Sequence, residues 1–143
     1  MEEPMTDSVL VTEHPAGDRV VGQLTLNVEK TLNSLTREMV DIITDRLEAW
    51  AGDDNVVAVL IDGAGEKAFC AGGDVQALRN SCLETPGGPC EYAEHFFARE
   101  YRMNYLLHTY RKPLMCWGHG VVMGGGLGIL AGCRYRVVSE RTR

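Results

Sequence analysis

Apolar residues recur along this chain with two different periods. In Arg19–Leu26 (RVVGQLTL) they alternate: Val20, Gly22, Leu24 and Leu26 share one face, and Val21, Gln23 and Thr25 the other. That is the pattern of a half-buried strand, and Val9–Glu13 just before it reads as a second one. The intervening HPAGD supplies turn chemistry. Asn27–Leu35 (NVEKTLNSL) has no period and reads as an irregular loop carrying Lys30 and Asn33. From Thr36 the period lengthens. Met39, Ile43, Leu47 and Trp50 fall at i, i+4, i+8 and i+11, which predicts a helix to about Trp50 with Thr36 as its N-cap. Val56–Ile61 (VVAVLI) is a continuous apolar run, the mark of a strand buried on both faces of a parallel sheet. Strand, helix and strand in this order read as a βαβ unit with a right-handed crossover as the default.

The second half repeats the alternation of elements. Asp74 is placed to cap a short helix over Val75–Asn80, and Ser81–Cys90 (SCLETPGGPC) has the composition of a surface loop. A long helix is expected from Glu91 to about Tyr110, with Tyr92, Phe96, Met103, Leu107 and Tyr110 on one stripe. Glu100 falls at the border of that stripe, about 80° round from Tyr92, either solvated or aimed at the edge of a pocket. Leu114–Trp117 reads as a strand, the glycine-rich stretch from Gly124 to Gly132 as a helix, and Arg134–Ser139 as a final strand. Residues 1–8 look like a frayed terminus, leaving 9–143 as one unit. Val121–Val138 is mostly apolar, so its elements need neighbours on several sides. That predicts extensive homo-oligomerisation or a longer domain of which this is the first part.

Composition narrows the function classes. A chain of 143 residues with 45% apolar and 24% charged residues is a globular domain able to bury a core. Its net charge of −6 argues against general nucleic-acid binding. The longest apolar run, Val121–Ala131, is too short and glycine-rich to span a bilayer, so no membrane partner is expected. The five cysteines have no CxxC spacing. Together with an N-terminus lacking a basic, apolar leader, they predict reduced, mostly buried thiols in a cytoplasmic protein.

Two glycine-bearing segments carry the candidate chemistry: Lys67–Asp74 (KAFCAGGD) and His119–Leu130 (HGVVMGGGLGIL). Each puts small residues at a helix entrance, where unpaired N–H groups and the positive end of the helix dipole favour negative charge. Two such entrances converging on one point would make an oxyanion hole from backbone alone. Gly126–Ala131 fits the GxGxxG/A dinucleotide pattern, but it comes late and a loop separates it from the preceding strand, which argues against that use. His119 has no nucleophile elbow around it and reads as structural. Cys70 reads as inert packing, and no clustered ligands suggest a metal site.

In this order and spacing, TLNSL, KAFCAGGDVQAL, FFAREYRMNY and HGVVMGGGLGI preceded by KP resemble the crotonase (enoyl-CoA hydratase/isomerase) superfamily. Within it they are most similar to the 3-hydroxyisobutyryl-CoA hydrolase branch. The resemblance implies an α/β fold, the crotonase-like ββα spiral of repeated strand and helix units, cut before its C-terminal half. It implies an acyl-CoA substrate, with coenzyme A as part of that substrate rather than a bound cofactor, and valine catabolism as the setting. The backbone N–H groups of Gly73 and Gly125 would form the oxyanion hole, each donor worth about 3 kcal/mol in the barrier. Glu100 aligns with a substrate-contacting glutamate. Lys30, Leu32, Ala68 and Ala71 lie where the family cradles coenzyme A, and Asp74 is a further substrate-side position. Hydratases place a catalytic glutamate two residues after the triple glycine, and here that residue is Gly128. The hydrolase branch shares this glycine, with its catalytic carboxylates expected just beyond Arg143. Enoyl-CoA hydratase/isomerase chemistry and a non-catalytic acyl-CoA-binding or assembly fragment remain the alternatives.

Overall fold

The computed structural model of the chain describes residues 7–143. Of the expected frayed terminus, residues 1–6 lie outside the described part, while the Asp7 and Ser8 carbonyls accept hydrogen bonds from Asn27.

Strands β1 (Val9–Ala16) and β2 (Arg19–Leu26) form an antiparallel hairpin. The turn is tighter than the sequence suggests. His14, Pro15 and Ala16 all join the ladder, leaving Gly17-Asp18 to reverse the chain, with Gly17 at φ +66°. Pro15 is tolerated because β1 is an edge strand. Gly22, Leu24 and Leu26 of β2 are buried on the predicted face. Helix α1 (Arg37–Ala51) buries Met39, Ile43, Leu47 and Trp50 as the spacing requires, and the Thr36 hydroxyl accepts the Met39 N–H at its start. Strand β3 (Val56–Gly63) then pairs parallel to β2.

From here the chain runs through the same strand, strand, helix sequence twice. Strand β3 is followed by β4 (Ala68–Cys70) and helix α2 (Val75–Glu84). After helix α3 (Glu91–His108), β5 (Leu114–Gly118) is followed by β6 (Val121–Val122) and helix α4 (Gly125–Gly132), and β7 (Tyr135–Val138) comes last. The first strands of these units lie side by side in a five-stranded sheet ordered β1-β2-β3-β5-β7, and β4 and β6 pair in a separate two-stranded sheet. This is the repeated ββα arrangement that the resemblance implies.

Its consequence for function is geometric. Because β4 and β6 are parallel neighbours, the turns that leave them, both glycine-bearing, end up adjacent. Helix α3 lies across α1, tied by Arg99–Asp41 at 2.5 Å and Arg102–Glu48 at 2.9 Å, and buries Phe96, Glu100, Met103 and Leu107.

One sequence expectation fails on the cysteines. Cys70, Cys116 and Cys133 are free and buried, whereas Cys82 and Cys90 form a disulfide. The physical reason is that α2 runs on to Glu84 instead of ending at Asn80, which carries Cys82 back to the start of α3. The two Cα atoms are then 5.0 Å apart, within disulfide reach.

Candidate active site

The TLNSL segment, Thr31–Leu35, between β2 and α1, holds the site together. Asn33 is fully buried in a left-handed conformation, φ 56°. Its Oδ1 accepts the Val28 N–H, and its Nδ2 donates to the carbonyls of Ala64 and Ala68. One carboxamide thus pins the loop after β2 to the turn between β3 and β4, with every buried hydrogen-bonding group satisfied. Leu35 continues the clamp: its N–H donates to the Gly72 carbonyl, and its carbonyl accepts from Asp74 N. These bonds flank Gly73 in a parallel bridge. Successive N–H groups of extended backbone point to opposite sides, so the Gly73 N–H is turned away from Leu35.

The second glycine turn meets the first at backbone distance. Met123 N donates to the Cys70 carbonyl at 3.1 Å. A Cβ added at Gly72 would lie 3.7 Å from the Gly125 nitrogen. Gly124 precedes α4 at φ 52° and ψ −123°, a conformation that favours glycine, and no side chain caps the helix. Gly125 is then the first helical residue, whose N–H has no intrahelical acceptor. Among the described residues, neither the Gly73 nor the Gly125 N–H has a hydrogen-bond acceptor.

Glu100 faces this place from α3. A Cβ on Gly125 would collide with its Oε1 and crowd Leu35 Cδ1 at 3.2 Å. Glu100 is only 6% exposed, and burial pushes its carboxyl above the ordinary carboxylate value. Gly73, Gly124, Gly125 and Glu100 line one cleft of about 330 Å³, closed by Leu78, Phe96, Phe97, Tyr101, Asn104 and Gly128. Glu100 is the one carboxylate among these lining residues. A carbonyl oxygen placed here would meet two N–H groups that lack acceptors, with one buried acid beside them.

Lys30, Leu32 and Ala68 line a different cleft of about 500 Å³ together with Asn33, Lys67 and the turn 64–66. Ala71 lines neither cleft; its N–H donates to the carbonyl of Leu32, which lines the second. Asp74 lines neither cleft; its carboxylate accepts the Ala77 N–H as the N-cap of α2. His119 is also remote from Gly73 and Gly125, its Nε2 bonded to the Gly65 carbonyl at 2.7 Å, tying the β3–β4 and β5–β6 turns together. Burial pushes the Cys70 thiol up to about 11, so it stays protonated and packs. Asn104 is a further residue of this cleft that no spacing or composition argument on the sequence marks. It stands one helical turn after Glu100, on the same face of α3.

The enoyl-CoA hydratase/isomerase family profile matches residues 21–143. The chain belongs to this family. It is 40% identical over 121 residues to the mitochondrial 3-hydroxyisobutyryl-CoA hydrolase of Danio rerio, which covers 85% of this chain and 31% of that protein. It is also 39% identical over 117 residues to the small ribosomal subunit protein mS47 of Neurospora crassa, 82% of this chain and 23% of that one. Among solved structures, an enoyl-CoA hydratase from Rhodobacter sphaeroides superposes with a TM-score of 0.85 at 35% identity, over 95% of this chain and 38% of that chain. A carnitinyl-CoA dehydratase from Mycobacterium thermoresistibile gives 0.85 at 44% identity, over 96% and 38%. This chain therefore spans about a third of the length of these family members. The hydrolase relatives are named as mitochondrial, a compartment that composition and cysteines did not point to. Among the described residues, no helix is long and apolar enough to cross a membrane, and no cluster of potential metal ligands occurs.

Proposed function

We propose that this chain carries the acyl-binding part of a CoA-thioester hydrolase of the 3-hydroxyisobutyryl-CoA hydrolase type. The observation that carries the reading is the pair of open N–H groups, Gly73 and Gly125, converging beside Glu100 in one cleft. The thioester carbonyl oxygen would sit between the two donors, which strengthen as it gains negative charge during attack by water. Glu100 would orient the hydroxyl of a short 3-hydroxyacyl group. The coenzyme A moiety would run toward Ala71 and toward Lys30, Leu32 and Ala68 in the neighbouring cleft, across the backbone that Asn33 braces. The remaining acid/base carboxylates would come from the part of the hydrolase relatives that this chain does not span. Gly128 supports hydrolysis over hydration, because a hydratase would carry its glutamate there.

Release of free thiol from 3-hydroxyisobutyryl-CoA tests this, comparing the 143-residue chain with a form extended by the corresponding C-terminal segment of a hydrolase relative. Turnover is expected in the extended form and negligible in the shorter one. Equal rates would overturn the placement of the carboxylates. Hydration of crotonyl-CoA without thiol release would select the hydratase reading, which the likeness to the Rhodobacter enzyme keeps in view. The likeness to a ribosomal protein supports the third reading, a non-catalytic assembly module; binding of no acyl-CoA by either form would select it. We also propose a homo-oligomer, supported by Met115, Trp117 and Tyr135, exposed on neighbouring strands of the sheet. Sedimentation as a monomer at high concentration would overturn that.

A further inference from the structure

Asn104 is an anomaly in its helix. Asparagine is a poor residue for a helix interior, because its side chain competes for backbone hydrogen bonds. Here it lies well inside α3 (Glu91–His108), and its Oδ1 is buried without a hydrogen-bond partner. The protein therefore carries both a propensity cost and an orphaned acceptor at one position, and buried polar groups are rarely left so. Its surroundings are those of the acyl cleft. Asn104 lines that cleft with Glu100, one turn earlier on the same helix, and with Gly128 of α4. The carboxamide stands over the space that Gly128 leaves: a Cβ there would lie 3.6 Å from Nδ2 and 3.7 Å from Oδ1.

We propose that Asn104 is a specificity-determining residue whose carboxamide recognises a hydroxyl on the acyl chain of the thioester. This rests on the acyl-CoA reading above and extends it from the thioester carbonyl to the acyl group. A hydroxyl is one donor and an acceptor at once. It donates its hydrogen to Asn104 Oδ1, the acceptor that the fold leaves without a partner, in the cleft that Glu100 lines one turn earlier. A plain acyl chain offers no such donor and leaves Oδ1 unpaired. The smallness of position 128 then has a purpose beyond the missing hydratase carboxylate: it leaves room for the substituent between the two helices.

The test is a titration of this chain, followed by backbone amide shifts so that weak binding is still read, with 3-hydroxyisobutyryl-CoA and with isobutyryl-CoA. The unaltered chain is expected to prefer the hydroxyacyl thioester about tenfold, the worth of one such bond. Asn104→Leu and Asn104→Ala are both expected to lose most of that preference, read as the ratio of the two affinities in each variant. Their melting temperatures are expected to stay level or rise, since each removes an unpaired buried group; a merely structural asparagine would instead lower them. If both thioesters bind equally, or if the preference survives in both variants, the role of Asn104 is overturned and the acyl-CoA site stands. If neither thioester binds, both fall together.

Discussion

Helices α2 and α4 start from equivalent positions in successive ββα units, each at a glycine-bearing turn, yet their first turns are built in opposite ways. At α2 the Asp74 carboxylate accepts the Ala77 N–H, so a negative group already sits on the positive end of the helix. At α4 no side chain caps, and the Gly125 N–H that follows the Gly124 turn is left without an acceptor, with the Glu100 carboxyl beside the Gly125 α-carbon. The bodies of the helices differ in the same sense. Helix α2 buries none of its residues, whereas α4 buries Gly126, Ile129, Leu130 and Gly132. The packed helix keeps its entrance unspent, and the surface helix consumes its own. An open N-terminus is a standing cost, and packing on α4 offsets it while leaving the donors available to an incoming charge.

Filling the open entrance should have the largest effect. Gly125→Val would drive a branched side chain into Glu100 and Leu35. In the extended form described above, thioester hydrolysis is expected to fall by at least about a hundredfold, the loss seen when one oxyanion donor is removed. Binding of free coenzyme A, assigned to the other cleft, is expected to stay within about twofold, well under one hydrogen bond. Equal loss of both would mean that the two clefts are not separable and that the contrast between the entrances is not what matters.

A smaller effect is expected at Glu100, the carboxylate that approaches α4 without capping it. Burial raises its pKa, so the folded chain holds this proton more tightly than the unfolded chain does. Stability from this group is therefore fully present below the ordinary carboxylate value and is lost as pH rises through the raised one. Glu100→Gln removes that loss. The variant is expected to melt higher than the unaltered chain at neutral pH and to converge with it at acid pH. A gap that widens on acidification would show that Glu100 is held charged by a partner, and that the entrance of α4 is capped after all.

How much of this contrast could be read from the residues depended on length and period. Helix α1 and strand β3 were legible because Met39, Ile43, Leu47 and Trp50, or the run Val56–Ile61, repeat often enough to fix a period. Strands β4 and β6 were not, since they have three and two residues, and Ala68, Phe69 and Cys70 are all buried, so no alternation exists to be seen. They form because each has the other to pair with, which is a tertiary fact. The last turn of α2 was hidden by the loop-like composition of SCLETPGGPC, and the disulfide with it. Gly73, Gly125 and Glu100 were found through family motifs, and the fold explains their meeting. Asn104 lies in the FFAREYRMNY segment, but nothing in that segment gives it a role; what marks it is an unpaired atom, visible only once neighbours are in place.

The smallest effect should come from opening the closed entrance. Asp74→Ala removes the cap of α2, a change typically worth about 1 kcal/mol. Because α2 buries no residue of its own and is held at its far end by Cys82–Cys90, the loss should stay local. Faster hydrogen exchange is expected at the Ala77 and Leu78 amides, with little change across α4 and little change in hydrolysis by the extended form. The opposite pattern, a large loss of turnover with exchange in α2 unchanged, would mean that Asp74 meets the substrate directly, as the family resemblance suggests for this position. The two entrances would then be partners in one site, with Asp74 supplying the second carboxylate that the cleft around Glu100 otherwise lacks.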